Sequence, residues 1–261
     1  ASKMTMPLIS SSGCNNVIIR FWSKGPGKVY AYYGQDFGTS RLVGFMSNTT
    51  DWVQYELSIS YLIKNNAPLK ISFEPDLPYR KAWYVDDIEI VANAYDKIFD
   101  PTGASYIGAY EASSLWFPSG VPTAEDNVMI MGSAKVGYNE TTVVNAAVGN
   151  VAFSHHGSLS VNKSATLTAN RIDATKRVTV YGTANITTLN ASAANSVVVK
   201  DGGVLNATII NGTTSGGNDK IRIESGGQVK SANDFYGIIE KNITGYGAEN
   251  TDNPTGWNLI L

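Results

Sequence analysis

Apolar and polar residues alternate with a period of two through much of this chain. No i, i+3, i+4, i+7 apolar stripe lasts for three turns, so the pattern predicts strands and almost no helix. In the first third, residues 17–22, 28–33, 52–59, 69–73 and 83–90 are aromatic and β-branched runs parted by Gly, Pro and Asn turns such as Gly25-Pro26-Gly27. Runs of that composition with turns of that kind predict an antiparallel β-sandwich.

The second half changes character. Short apolar cores recur at 128–130, 151–153, 178–180, 197–199 and 221–223, each followed within four residues by Gly132, Gly157, Gly182, Gly202 or Gly226. Successive glycines in that series lie 25, 25, 20 and 24 residues apart. Repeats of roughly 20–50 residues mark stacked arrays. One hairpin cannot bury enough apolar surface to offset the entropy of ordering it, whereas parallel coils about 4.8 Å apart extend one another's ladder and share an interior column. The pattern therefore predicts a parallel β-solenoid, with Val128, Ile130, Val151, Phe153, Val178, Val180, Val197, Val199, Ile221 and Ile223 pointing inward. Ser154, Thr179, Lys200 and Arg222 should then face solvent, and the glycines should supply corners with positive φ. An open coil exposes unpaired strand groups, so each end needs a cover. Trp116 is placed to cap one end, and Phe235-Tyr236 through Trp257 the other.

Two stretches carry a family resemblance. Thr49-Thr50-Asp51-Trp52 opens a "W-x-x-y-x-l-x-i" strand, followed by "l-x-I-x-F" at 69–73 and "W-Y-V-D-D-I-x-I" at 83–90. This succession resembles the closing strands of jelly-roll domains of the cleaved-adhesin and carbohydrate-binding-module type. Trp116, Gly120, Pro122, Asp126, Val128 and Ile130 resemble the "W-x-x-G-x-P-t-x-x-d-x-V-x-I" entrance of β-helical segments in large secreted surface proteins of the Bacteroidetes type, with three residues rather than two between Trp116 and Gly120, and Gly245-Tyr246 with Gly256-Trp257 resembles their exit. The resemblance implies an all-β chain: an antiparallel β-sandwich (jelly roll) followed by a short parallel β-solenoid. The expected division is a jelly roll over 1–92, a connector and cap over 93–126, and a solenoid with a C-terminal cap over 127–261. Shortened opening strands before Met6-Pro7 and an apolar ending at Leu261 imply a fragment that continues into other segments, so copies or segments of a surface protein are the expected partners.

Composition narrows the function. Charged residues are only 16% of the chain against a usual share near 25%, and Lys plus Arg number 20 against 22 acidic residues. A nearly neutral chain with no basic cluster lacks the footprint of a nucleic-acid binder, and no apolar run is long enough to insert in a membrane. The single Cys14 allows no internal disulfide.

Candidate chemistry is sparse. His155-His156 are adjacent on an extended segment and project to opposite faces, a poor metal pair. The resemblance implies a structural calcium ion, with Asp87, Asp86, Asp36 and Asp51 as ligands, because hard cations collect several oxygens. Exposed aromatic rings stack on sugars, which makes Trp22, Tyr30 and Tyr32 the candidate glycan platform. Carboxylates between 138 and 218 are limited to Glu140, Asp173 and Asp201, too few for a glycosidase pair, although Lys176-Arg177 and Lys200-Asp201 fall on neighbouring coils. Eight Asn-x-Ser/Thr sequons, at Asn48, Asn139, Asn162, Asn185, Asn190, Asn206, Asn211 and Asn242, read as coil-corner residues. The chain is thus expected to be a non-catalytic, extracellular segment of a bacterial cell-surface protein serving as adhesin, spacer or surface-layer building block. The alternative is a carbohydrate-binding accessory module of a polysaccharide-degrading enzyme.

Overall fold

The computed structural model describes residues 3–10, 12–33, 37–63, 68–76, 82–101, 106–214 and 220–240. Among these, seven strands form the sandwich: β1 (Met4–Thr5), β2 (Val17–Lys24), β3 (Gly27–Tyr33), β4 (Thr39–Met46), β5 (Val53–Ser58), β6 (Lys70–Pro75) and β7 (Tyr84–Ala92). One sheet runs β1-β6-β3-β4 and the other β5-β2-β7, antiparallel throughout. Alternation puts Ile19 and Phe21 of β2 into one core with Val29, Ala31, Ile71 and Phe73 of the opposite sheet. The Phe21 ring meets Phe73 edge-on at 5.2 Å. Strand β4 escapes the sequence pattern because Gly44 interrupts its apolar run. A Cβ there would lie 2.7 Å from Leu57 Cδ2, so only glycine lets the two sheets close at that point.

The remaining strands form a solenoid of about five turns over residues 128–231. Its first sheet stacks β10 (Trp116–Phe117), β8 (Lys97–Phe99), β11 (Val128–Ile130), β13 (Val144–Phe153), β15 (Ala165–Ala174), β17 (Thr183–Ala191), β19 (Val204–Asn211) and β21 (Gln228–Ser231). Its second stacks β9 (Ile107–Ala109), β12 (Ser133–Val136), β14 (Ser158–Val161), β16 (Val178–Val180), β18 (Val197–Val199), β20 (Ile221–Ile223) and β22 (Ile238–Ile239). Every pairing is parallel except β10 on β8. Residues 97–99 and 107–109 thus supply a first rung, and 116–117 an antiparallel lid. Trp116 in that lid is fully buried, packs edge-on against Phe99 (5.1 Å) and Tyr110 (5.0 Å), and donates its indole N–H to the Tyr110 carbonyl at 2.7 Å.

The ten predicted inward residues are all buried in one core, but they do not form one column. Residues 128–130 and 151–153 pair with each other in the first sheet, while 178–180, 197–199 and 221–223 stack in the second, upon Leu159 and Val161. The true repeat is longer than a single strand. Within β15 the buried side chains are Ala165, Leu167 and Ala169, then Ile172 and Ala174, with Asn170 and Arg171 both outward between them. β17 and β19 slip phase the same way, at Thr187-Thr188 and Thr208-Ile209. Two consecutive outward residues crease the sheet, giving each of these coils three inward runs. Asparagines line its outside: Asn206 donates to Asn185 (2.9 Å), Asn211 to Asn190 (3.0 Å) and Asn170 to Asn150 (3.3 Å). Ladders of this kind satisfy side-chain amides coil by coil, which is the structural use of most of the described sequons.

Two outward assignments are corrected. Ser154 is only 2% exposed and donates its hydroxyl to the Met131 carbonyl; Thr179 is 8% exposed, shielded by side chains of the adjacent coils. The glycines also divide. Gly202 and Gly226 take positive φ, whereas Gly157 and Gly182 are needed because a Cβ would strike the carbonyl oxygens of Ile130 (2.2 Å) and Asn162 (2.1 Å) on the coil below.

Candidate functional site at the junction of sandwich and solenoid

The two parts meet through side chains that alternation alone would turn to water. Ile18 points out of the sandwich and is fully buried, in a cluster with Ile98, Met129 and Met131 of the first solenoid rungs. Met129, the middle residue of its strand, is apolar because a second layer covers it. Beside this cluster the Tyr55 ring lies 4.6 Å from His155 and 6.4 Å from His156. Burial, reinforced by Lys176, holds the His155 imidazole down to about 4, and lowers His156 in the same direction. The histidine pair is therefore a neutral packing element of the joint.

A cavity of about 400 Å³ opens along the same junction, between β4, the end of β5 and Asp100, Pro101 and Tyr106 after β8. Arg41 lies over the Tyr61 ring at 4.1 Å, and burial pushes the Tyr61 phenol up, so it stays a hydrogen-bond donor. Asp100 occupies the floor. Its Oδ2 is shut off from solvent and has no hydrogen-bond partner among the described residues. Desolvation pushes its carboxyl up to about 6, against the opposing influence of the Ser58 hydroxyl and Arg41. The other carboxylate lining the cavity, Glu56, is held by Arg20 at 2.8 Å. Nothing in the sequence marks Asp100: it follows Phe99 in a segment read as connector, and only the docking of the sandwich buries it.

This burial makes a pH prediction. Folded Asp100 keeps its proton up to about pH 6, whereas an unfolded aspartate releases it near 4. Folding therefore takes up a proton between those values, so stability falls as pH rises through that window and stays lower above it. Asp100→Asn, neutral throughout, is expected to exceed the wild type by about 3 kcal/mol at pH 7, the two converging near pH 4. Melting temperatures of both proteins from pH 4 to 8 check this; a difference independent of pH would refute it. The opposite response of His155 is common to both proteins and cancels.

The candidate ligands of the sequence reading fall elsewhere. Trp22 stands exposed on the outer face of β5-β2-β7, across from Gln54 and Asp86. Tyr30 and Tyr32 lie on the outer face of the other sheet, where Tyr32 donates to Glu74 at 3.1 Å and Lys3 covers its ring. One platform cannot include all three. Trp52 and Tyr84 are exposed instead on the side of Trp22, Tyr84 pairing with Lys24 two residues along the strand.

Asp86 and Asp87 form a β-bulge. Register with β2 jumps between Arg20 and Trp22, Asp87 takes φ +51°, and its N–H donates to Asp86 Oδ1 at 2.9 Å. Aspartate tolerates this left-handed conformation better than most residues, which gives the "D-D" of the motif a backbone role. Asp51 is exposed in the turn before β5, and Asp36 lies outside the described residues. Among the described residues no three His, Cys, Asp or Glu side chains gather closely enough to hold a metal.

Compared with known proteins, the chain matches no family model, and no curated protein is significantly similar to it.

Proposed function

We propose that this chain is a non-catalytic segment of a secreted bacterial cell-surface protein, of the cleaved-adhesin and Bacteroidetes kind its motifs resemble. In it, sandwich and solenoid act together as spacer, adhesive surface or surface-layer building block. The observation that carries this reading is the joint. Ile18, Ile98 and Met129 form a dry contact flanked by Tyr55 on His155, which suits a stiff extended unit better than two domains on a swivel. The charge-poor, asparagine-laddered exterior of the solenoid supports the same reading, as does the parallel stack, which lengthens by adding coils. Its partners would be neighbouring segments or further copies of the surface protein. Antibodies raised against the purified chain are expected to label intact cells of the source organism; labelling that requires permeabilisation would overturn the proposal.

A second reading, a carbohydrate-binding accessory module, is favoured by the exposed Trp22, Trp52 and Tyr84 with Gln54 and Asp86 between them. Flat rings edged by hydrogen-bonding groups suit neutral saccharides.

A further inference from the structure

The outer face of the second solenoid sheet carries a groove of about 290 Å³ running across β16, β18 and β20. In-register pairing aligns Thr179 with Val198 and Arg222 across those three coils. Thr179 and Val198 make a smooth floor, only 8% and 5% exposed, beneath longer side chains at its rims. Arg177 stands at one rim, Tyr181 and Lys200 at the other.

The polar groups of this groove are incompletely satisfied. Asn195, in a turn with φ +50°, lines it with a buried Oδ1 that has no partner among the described residues, and the buried Nε of Arg222 is likewise without one. Buried polar atoms in folded proteins are nearly always paired, so an unmatched acceptor and an unmatched cationic donor in one concavity mark a place for something that supplies both complements. Charge points the same way. Lys200 pairs with Glu224, and Arg222 pairs through Nη1 with Glu240 at 2.8 Å. Arg177 has no ion pair among the described residues, so the groove keeps an uncompensated positive charge on a chain whose net charge is −2.

We propose that this groove binds an acidic saccharide through its carboxylates: a uronate-containing oligosaccharide lying across the coils. Arg177 and the part-exposed guanidinium of Arg222 donate to carboxylate oxygens, Asn195 lines the path of the ring hydroxyls, and Tyr181 offers an aromatic edge at the rim. Three coils at about 4.8 Å spacing make the groove an elongated track for a chain ligand rather than a cup for a single ion. The site is on the solenoid, remote in sequence from the Trp22 face, and stands whether or not the chain is displayed on a cell.

The test is calorimetric titration of the full chain with galacturonate, mannuronate and glucuronate oligosaccharides, beside neutral oligosaccharides of matched length. Saturable binding of at least one acidic series is expected, weakening as salt is raised and absent for the neutral series. Arg177→Gln should weaken it at least about tenfold with an unchanged melting temperature and Arg222→Gln should weaken it as far, while Arg171→Gln on the other sheet and Trp22→Ala leave it intact. Arg177 makes no ion pair, so its variant tests the site without disturbing the fold. No saturable binding of any uronate, equal binding of neutral chains, or binding indifferent to Arg177→Gln would overturn the proposal. Loss on Trp22→Ala alone would assign the binding to the sandwich instead.

Discussion

Val199→Asp is expected to unfold the solenoid. Val199 is fully buried, between Val180 on the coil before and Ile223 on the coil after. An aspartate there has no cation or hydrogen-bond donor in the apolar column and must either ionise in a dry core or hold its proton at a cost. The loss is about 4 kcal/mol or more, a large part of the roughly 5–15 kcal/mol that holds a domain together. Thr168→Asp is the control. Thr168 is exposed on β15, and its replacement should change stability by less than about 0.5 kcal/mol. Thr179→Asp is no such control, although its position in the strand matches a solvent-facing one, because Thr179 is the floor of the groove between Arg177 and Lys200. Denaturant melts of the two variants decide the matter, and equal midpoints would show the inward and outward faces to be misassigned.

Trp116→Ala is expected to cost about 3–5 kcal/mol by leaving a cavity under the lid and removing the indole partner of the Tyr110 carbonyl. Loss of this residue should also expose the edge of β8, so the variant is expected to self-associate as concentration rises, read by light scattering. Trp116→Phe, which keeps a ring against Phe99, should lose roughly half as much. The neighbouring hydroxyl behaves oppositely. Tyr110 Oη is buried without a partner among the described residues, so Tyr110→Phe should be neutral or stabilising by about 1 kcal/mol. A melting temperature for Trp116→Ala within a degree of the wild type would remove the lid from any part in stability.

The strands were legible because their signals are local. Period-two alternation, β-branched runs and turn glycines act over a few residues, which is why β2, β3, β5, β6 and β7 and all ten inward residues of the solenoid could be read from the chain. The motif pair Asp86-Asp87 was legible as special without its reason being so. Whether it binds an ion or bends a strand depends on the register with β2, which lies some sixty residues earlier in the chain.

Two properties of the solenoid escaped for the same cause. Five similar cores looked like one column, but a valine triplet is the same whichever sheet it joins. The assignment of 128–130 and 151–153 to one sheet, and of the later three to the other, follows from long strands with a crease that no single-strand period describes. Outwardness likewise is defined only against what lies outside. Alternation turns Thr179 away from the core, yet the neighbouring coils shield it, and a second layer covers Met129.

Alternation, and the cost of leaving apolar faces in water, set the all-β class, the change from sandwich to stacked coils and the side chains that fill each interior. The joint and both cavities arise from contacts between segments far apart in the chain. Asp100 acquires its raised pKa, His155 its suppressed one and Arg222 its unpaired nitrogen from groups brought together across the fold, because desolvation is a property of surroundings and not of residue type.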